Sequence, residues 1–469
     1  MNAISHFEKN WEAHLEDLKN LVRIPSVSFP GFPPEELKRS AAMTAEILKK
    51  SGLPHVEILE VGNAPPYVYA ESKQDPERPT VLLYAHHDVQ PPGREEYWKT
   101  VPFEPTVKTG PGGDRLYGRG SADDKAGVIV HSASIASFLK NGEDLPVNVK
   151  IVIEGEEEAG SDHLPLFLET YKKKIQADVM ILTDTTNFDC GVPALTIALR
   201  GLVIIDVEVR ALTKTVHSGM WGGPIPDPVQ ALAKMLATLS DAQGRINIPA
   251  IRDMIPPLSR EEIADFEAMP YNEKDFREQV GLIPSAQLLK EGPSVIAQTW
   301  RFPSLTVTAI QASSRATPNN IINDTAWARV TIRVAPGMSG EKISQALQKH
   351  LKSQVIWGLE CTLTENGVGD GWKTDPYGEH KHTFEIAERA LEKGYGKKVI
   401  KIGCGGSIPF VEPFAKALGG VPTLLIGVED PYTNAHGENE SLLISDLKKA
   451  CLSQIYLFDA LGKEFKKLS

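Results

Sequence analysis

The chain is poor in cysteine and in long apolar runs. Four cysteines, Cys190, Cys361, Cys404 and Cys451, are scattered along 469 residues without a CxxC pair. That scatter argues against a disulfide framework and against a structural zinc cluster, and it suits reduced thiols in the cytoplasm. No stretch approaches the ~18–20 consecutive apolar residues that span a bilayer. The segment from Met1 to Asn10 carries charges where a signal peptide needs an apolar run. A cytoplasmic protein without a membrane partner is the expectation. Positive charge is also in deficit, with 50 Lys and Arg against 61 Asp and Glu, a formal net charge of −11. A nucleic-acid partner would call for a basic patch, so none is expected.

What is present is an ordinary globular composition, 41% hydrophobic and 24% charged. The length exceeds one core and predicts two domains. The opening residues show helical periodicity, broken at Ile24-Pro25 and around Gly31 to Pro34. Short apolar runs follow, each ending in polar residues. Thr80 to Tyr84 leads into His86 and Asp88, Val147 to Ile153 into Glu154 to Glu158, Ala177 to Leu182 into Asp184, and Val421 to Ile426 into a loop reaching His436. Continuous apolar strands suit a mostly parallel sheet covered on both faces. With helices between them, such as Lys125 to Leu139 and His382 to Lys393, they predict a doubly wound α/β domain. Its sites lie at the carboxyl edge of the strands.

The middle of the chain reads differently. Strands at Leu202 to Val209, Leu305 to Ile310, Ala328 to Val334 and Leu359 to Thr364 alternate with helices at Pro228 to Leu239 and Glu341 to Leu351. The order βαββαβ is that of a split βαβ sandwich. It predicts an α+β domain inserted at 201–368, leaving 1–200 and 369–469 as the two parts of the α/β domain. The Pro- and charge-rich stretch from Asp241 to Trp300 is taken as an extension of the insert.

Amide hydrolysis needs a nucleophilic water, a polarised carbonyl and a proton carrier. Two divalent ions ~3.5–4 Å apart can serve the first two needs, and such ions favour imidazole and carboxylate ligands. His86 and Asp88 fall on one side of an extended segment, so that His86 can bind an ion while Asp88 orients it. Taken alone, they also read as a hydrogen-bonded surface pair. Asp123 and Asp124, before a helix, also read as N-caps. Glu156-Glu157-Glu158 also reads as a solvated acidic run, although it follows a buried-type strand.

The ordered motifs His86-His-Asp-Val89, Gly120-Ser-Ala-Asp-Asp-Lys125, Glu154-Gly-Glu-Glu-Glu-Ala-Gly-Ser161 and Asn434-Ala-His436 closely resemble the M20 metallopeptidases over nearly the whole chain. Gly405-Gly-Ser-Ile-Pro409 and Arg301-Phe-Pro-Ser304 are similar to the carnosinase-like cytosolic dipeptidases. The resemblance implies that Asp123 bridges two divalent ions, with His86 and Asp184 completing one ligand set and Glu158 and His436 the other. Zinc is the default ion, and manganese or cobalt suit the same ligands. It implies Glu157 as general base, transferring a proton from the attacking water to the leaving amine, and a cis peptide after the bridging aspartate.

In the insert, the resemblance implies that His217 stabilises an oxyanion in the partner subunit's site, so that the insert serves as lid and dimerisation domain of a homodimer. Asn320 and Arg333 match positions that hold a substrate carboxylate, a task suited to the arginine fork. Ser407 and Gly406 assist from the glycine loop. Each of His217 and Arg333 also has a purely structural reading. One departure concerns the amine end of the substrate: Cys404 stands where the dipeptidase branch usually has an acidic residue.

The leading expectation is hydrolysis of dipeptides or short peptides bearing a free C-terminal carboxylate. Deacylation of N-acyl amino acids, of the aminoacylase or succinyl-diaminopimelate type, is the alternative within the family. A catalytically silent binding protein would have lost a ligand or the base, and all are present. A carboxylate-pair glycosidase leaves the histidines unexplained.

Overall fold

The computed structural model describes residues 2–406, 408 and 410–465, and they divide into two compact units. Residues 1–197, 374–402 and 409–469 make up the first unit, and residues 198–373 with 403–408 the second. Ser407 lies outside the described residues.

In the first unit, four strands run parallel side by side in the order Asn148–Glu154, Thr80–His86, Val179–Leu182 and Thr423–Ile426. All of their residues except Thr80 and Lys150 are buried, as expected of strands covered on both faces. The parallel arrangement stops at the flanks. Tyr67–Glu71 pairs antiparallel with Asn148–Glu154, and His55–Leu59 pairs antiparallel with Tyr67–Glu71. On the other side, Ala194–Leu199 joins Thr423–Ile426 antiparallel. The expected parallel arrangement therefore holds for the centre of the sheet, where the candidate site residues emerge.

The helix Lys125–Leu139 is buried on all sides, with only Leu139 partly exposed. Burial around the whole circumference marks a core helix rather than a surface one. It packs against helices Asn2–Val22 and Ile444–Glu464 and the Thr80–His86 strand. On the sheet, Tyr84 stacks on Phe410 at a centroid distance of 3.9 Å. This continuous core fixes the strand ends from which the polar residues project.

The second unit is a four-stranded antiparallel sheet in the order Ser304–Gln311, Thr325–Val334, Gly201–Arg210, Glu360–Gly369. Gly201–Arg210 and Thr325–Val334 alternate strictly between buried and half-buried positions, the period-two signature of a sheet with one core face. Helices Pro228–Ala237 and Gly340–Ser353 cover that face. The expected βαββαβ order is thus present, and the Asp241 to Trp300 stretch holds four short helices instead of strands. A two-residue ribbon pairs Val216–His217 with Ile321–Ile322. No helix of the described residues is long and apolar enough to cross a membrane.

Candidate active site

His86 is the last residue of its strand, and its ring is fully buried. Its Nε2 lies 3.1 Å from Asp123 Oδ1 and 3.8 Å from Asp184 Oδ1. The second oxygen of Asp123, Oδ2, lies 3.1 Å from Nε2 of His436, which is in turn 3.2 Å from Glu158 Oε2. Two three-residue donor groups result, His86–Asp123–Asp184 and Asp123–Glu158–His436, sharing Asp123. Glu157 belongs to neither, yet its Oε2 is 3.9 Å from His86 Nε2.

Local structure explains how these side chains are held. The Asp123-Asp124 peptide is cis, and Asp124 caps the helix Lys125–Leu139 by accepting from Gly127 N at 3.1 Å. The N-cap reading and the site reading thus apply to adjacent residues. The loop before them turns at Gly120, in the left-handed region at φ +77°, where a side chain would run into Val89. His436 also has positive φ, +62°, an uncommon backbone state for a side-chain-bearing residue and one that gathers at functional sites.

Asp88 is wholly buried, which overturns the surface-pair reading. One oxygen faces His86 Nδ1 at 3.3 Å and accepts from Glu157 N at 3.2 Å. The other accepts from Glu158 N at 3.0 Å and Ser28 Oγ at 2.7 Å. The acidic run is equally far from solvated. Glu156 is buried and accepts from His163 N at 2.9 Å, while Glu158 accepts from Gln90 N and from Gln90 Nε2 at 3.1 and 2.7 Å.

Two contributors carry no sequence signal of their own. Gln90 clamps Glu158, and Glu440 accepts from the backbone N–H groups of Gly120, Ala122 and Asp123 at 2.9, 3.1 and 3.3 Å. Glu440 is also paired with the buried Arg119 at 2.8 Å. Their partners are remote in sequence or local only by virtue of a turn, so no spacing announces them.

Electrostatics test whether the cluster suits cations. Burial, then the charge of Asp184, pushes the Glu157 carboxyl well above its ordinary range. Burial and Asp123 push Glu158 up to about 7, and burial also raises Asp184. Hydrogen bonds from its ring to the Asp123 and Glu158 carboxylates push His436 up to about 11. For His86, burial pulls downward, but Asp123, Asp184 and Asp88 outweigh it and raise it well above normal. Carboxylates crowded in a dry site retain protons unless positive charge replaces them. An imidazole and carboxylate donor set of this kind fits divalent ions.

The candidates of the second unit are placed separately. His217 is exposed, and its Nδ1 accepts from Gly219 N and Met220 N at 3.1 and 3.2 Å, capping the short helix Ser218–Trp221. Asn320 is exposed, with its carbonyl accepting from Ser218 N at 2.9 Å. Arg333 is half-buried on the Thr325–Val334 strand, and burial lowers its pKa. Cys404 is half-buried, and its Sγ accepts from Gly406 N at 3.3 Å.

A family model described as peptidase family M20/M25/M40 matches residues 82–455. The chain is 30% identical over 388 residues to the cysteinylglycine-S-conjugate dipeptidase of Corynebacterium striatum, covering 82% of each chain. It is 30% identical over 456 residues to a Cys-Gly metallodipeptidase of Candida albicans, covering 93% of this chain and 92% of that one. Among solved structures, human carnosine dipeptidase 1 superposes with a TM-score of 0.87 at 26% identity, over 98% of both chains.

Proposed function

The chain belongs to peptidase family M20/M25/M40 and is a metallopeptidase, and from that premise we propose that it hydrolyses dipeptides and short peptides bearing a free C-terminal carboxylate. The dipeptidase activities of its relatives support that substrate class. The observation that carries the mechanism is the division of Asp123, with Oδ1 toward His86 and Oδ2 toward His436. We assign His86, Asp123 and Asp184 to one divalent ion and Asp123, Glu158 and His436 to the other, zinc by default, with manganese or cobalt suited to the same donors. Divalent ions held there would supply Lewis-acid polarisation of a carbonyl and acidification of a water.

The remaining work falls to the chain's own residues. Glu157 takes a proton from the attacking water at a carboxylate oxygen and delivers it to the leaving amine nitrogen. Asp88 orients the His86 ring and fixes the backbone of Glu157 and Glu158, so one carboxylate sets ligand and base together. Arg333 and Asn320 hold the substrate carboxylate, and Gly406 and Ser407 are assigned to substrate binding. His217 stabilises the oxyanion in the site of a partner subunit. On this reading, residues 201–368 serve as lid and dimerisation domain of a homodimer. The four free cysteines support a reducing, cytoplasmic setting, and the acidic net charge speaks against a nucleic-acid partner.

A substrate panel tests the proposal. The metal-loaded enzyme is expected to cleave unmodified dipeptides with a kcat/KM at least tenfold above that for N-acetyl and N-succinyl amino acids. Cleavage of the acyl substrates alone would overturn the dipeptidase assignment and make the chain a deacylase.

A further inference from the structure

The sheet of the second unit carries arginines on the face turned away from its helices. There Arg333 stands directly opposite Ser304 on one neighbouring strand and Leu202 on the other. Residues paired in this way share a face, with Cβ atoms ~4.5–5.5 Å apart. Arg200, just upstream of Leu202, reaches the same place. Its Nη1 donates to Ser304 Oγ at 3.1 Å and, at 3.5 Å, to the Phe302 carbonyl, and its Nε donates to the Gly405 carbonyl at 2.9 Å.

All of these partners are neutral. Arg200 is half-buried and has no carboxylate partner among the described residues. Arg329, on the same strand face as Arg333, is treated differently: Asp206 takes both arms of its fork at 2.7 and 2.9 Å. A guanidinium withdrawn from water without a counter-ion is unfavourable and calls for an anion. Consistent with this, burial and the charge of Arg333 pull Arg200 down to about 10. Gly405 leaves the remaining nitrogen uncovered, because a Cβ there would stand 3.0 Å from Nη2 of Arg200.

We propose that Arg200 joins Arg333 in a two-guanidinium clamp for the C-terminal carboxylate of the substrate, with Nη2 of Arg200 donating to one carboxylate oxygen. Ser304 is the spacer of this clamp, and the Gly405 carbonyl aims its second arm. The clamp rests on the reading of Arg333 as a carboxylate-binding residue given above. It makes Arg200 a specificity determinant for substrates ending in a free carboxylate.

The test compares hydrolysis of a dipeptide with that of its C-terminal amide by Arg200→Lys, Gly405→Ala and Arg333→Lys. Arg200→Lys keeps the charge and loses the fork, and Gly405→Ala covers Nη2 while leaving Arg200 in place. Both are expected to lower kcat/KM for the dipeptide about 10–100-fold, chiefly through KM, and to change the amide less than about threefold. An unchanged acid-to-amide preference in both variants would overturn the clamp, whatever their total activity. Preference lost in Arg333→Lys but retained in the other two removes Arg200 alone. Preference retained in all three variants, or absent from the native enzyme, removes the Arg333 reading and the clamp with it. Should Arg200→Lys fail to fold, Gly405→Ala decides.

Discussion

Glu154 closes the strand that leads to Glu157, the proposed general base, and shows how far a single carboxyl can bias this fold. It is fully buried and accepts from Tyr84 at 2.6 Å and Tyr67 at 3.1 Å. Burial pushes its carboxyl up from 4.5 to about 7. Between those values the folded chain keeps a proton that the unfolded chain has released. The stability associated with this group is therefore fully present below about pH 4.5 and is lost as the pH rises through about 7. Glu154→Gln fixes the neutral form. Relative to the native chain it should gain roughly 3 kcal/mol between pH 5 and pH 8, measured as the difference in denaturant unfolding free energy across that range. A difference that does not change with pH would show that Glu154 is not held protonated.

At the scale of elements, the loop from Gly120 to Asp123 is positioned by a remote partner. Glu440 gathers three of its backbone N–H groups and neutralises Arg119, both side chains being almost wholly buried. Removing one member of such a pair leaves an uncompensated charge in the interior. Glu440→Ala should cost about 3–5 kcal/mol in unfolding free energy and reduce metal content, whereas Glu440→Gln should do less damage to both. Native-like stability of Glu440→Ala would contradict the anchoring role. The same loop marks the limit of what the sequence discloses. Strand ends at His86, Glu154 and Leu182 are legible because apolar runs stop where polar residues begin. The helix Lys125–Leu139 is legible at both ends. Glu440 and Gln90 are not, since their roles depend on tertiary contact without a periodic or spacing signal. The antiparallel flanks of the sheet are also hidden, because a short, largely buried strand such as Tyr67–Glu71 reads the same in either direction. The helices between Asp241 and Trp300 are short, and proline and charge dominate their composition.

For the whole molecule, His217 decides whether one chain suffices. His217 lies on the inserted unit, exposed, with its Nδ1 engaged by Gly219 N and Met220 N. If it serves a partner's site, two inactive variants can complement. Mixed His217→Ala and Glu157→Gln subunits should recover up to about a quarter of native activity, because random exchange makes half of the dimers mixed and each mixed dimer holds one intact site. The check is activity against mixing time, with subunit exchange followed independently. Full exchange without recovered activity would place His217 outside the catalytic machinery of a shared site.

In the proposed mechanism one carboxylate, Asp123, serves two ions while Glu157 beside them serves neither. Anomalous diffraction from metal-loaded Glu157→Gln crystals, with turnover measured on the same preparation, tests it most directly. Two ions are expected, one among His86, Asp123 and Asp184 and the other among Asp123, Glu158 and His436, with kcat reduced at least ~100-fold. A single ion, ions held by other residues, or near-native turnover in this variant would contradict it.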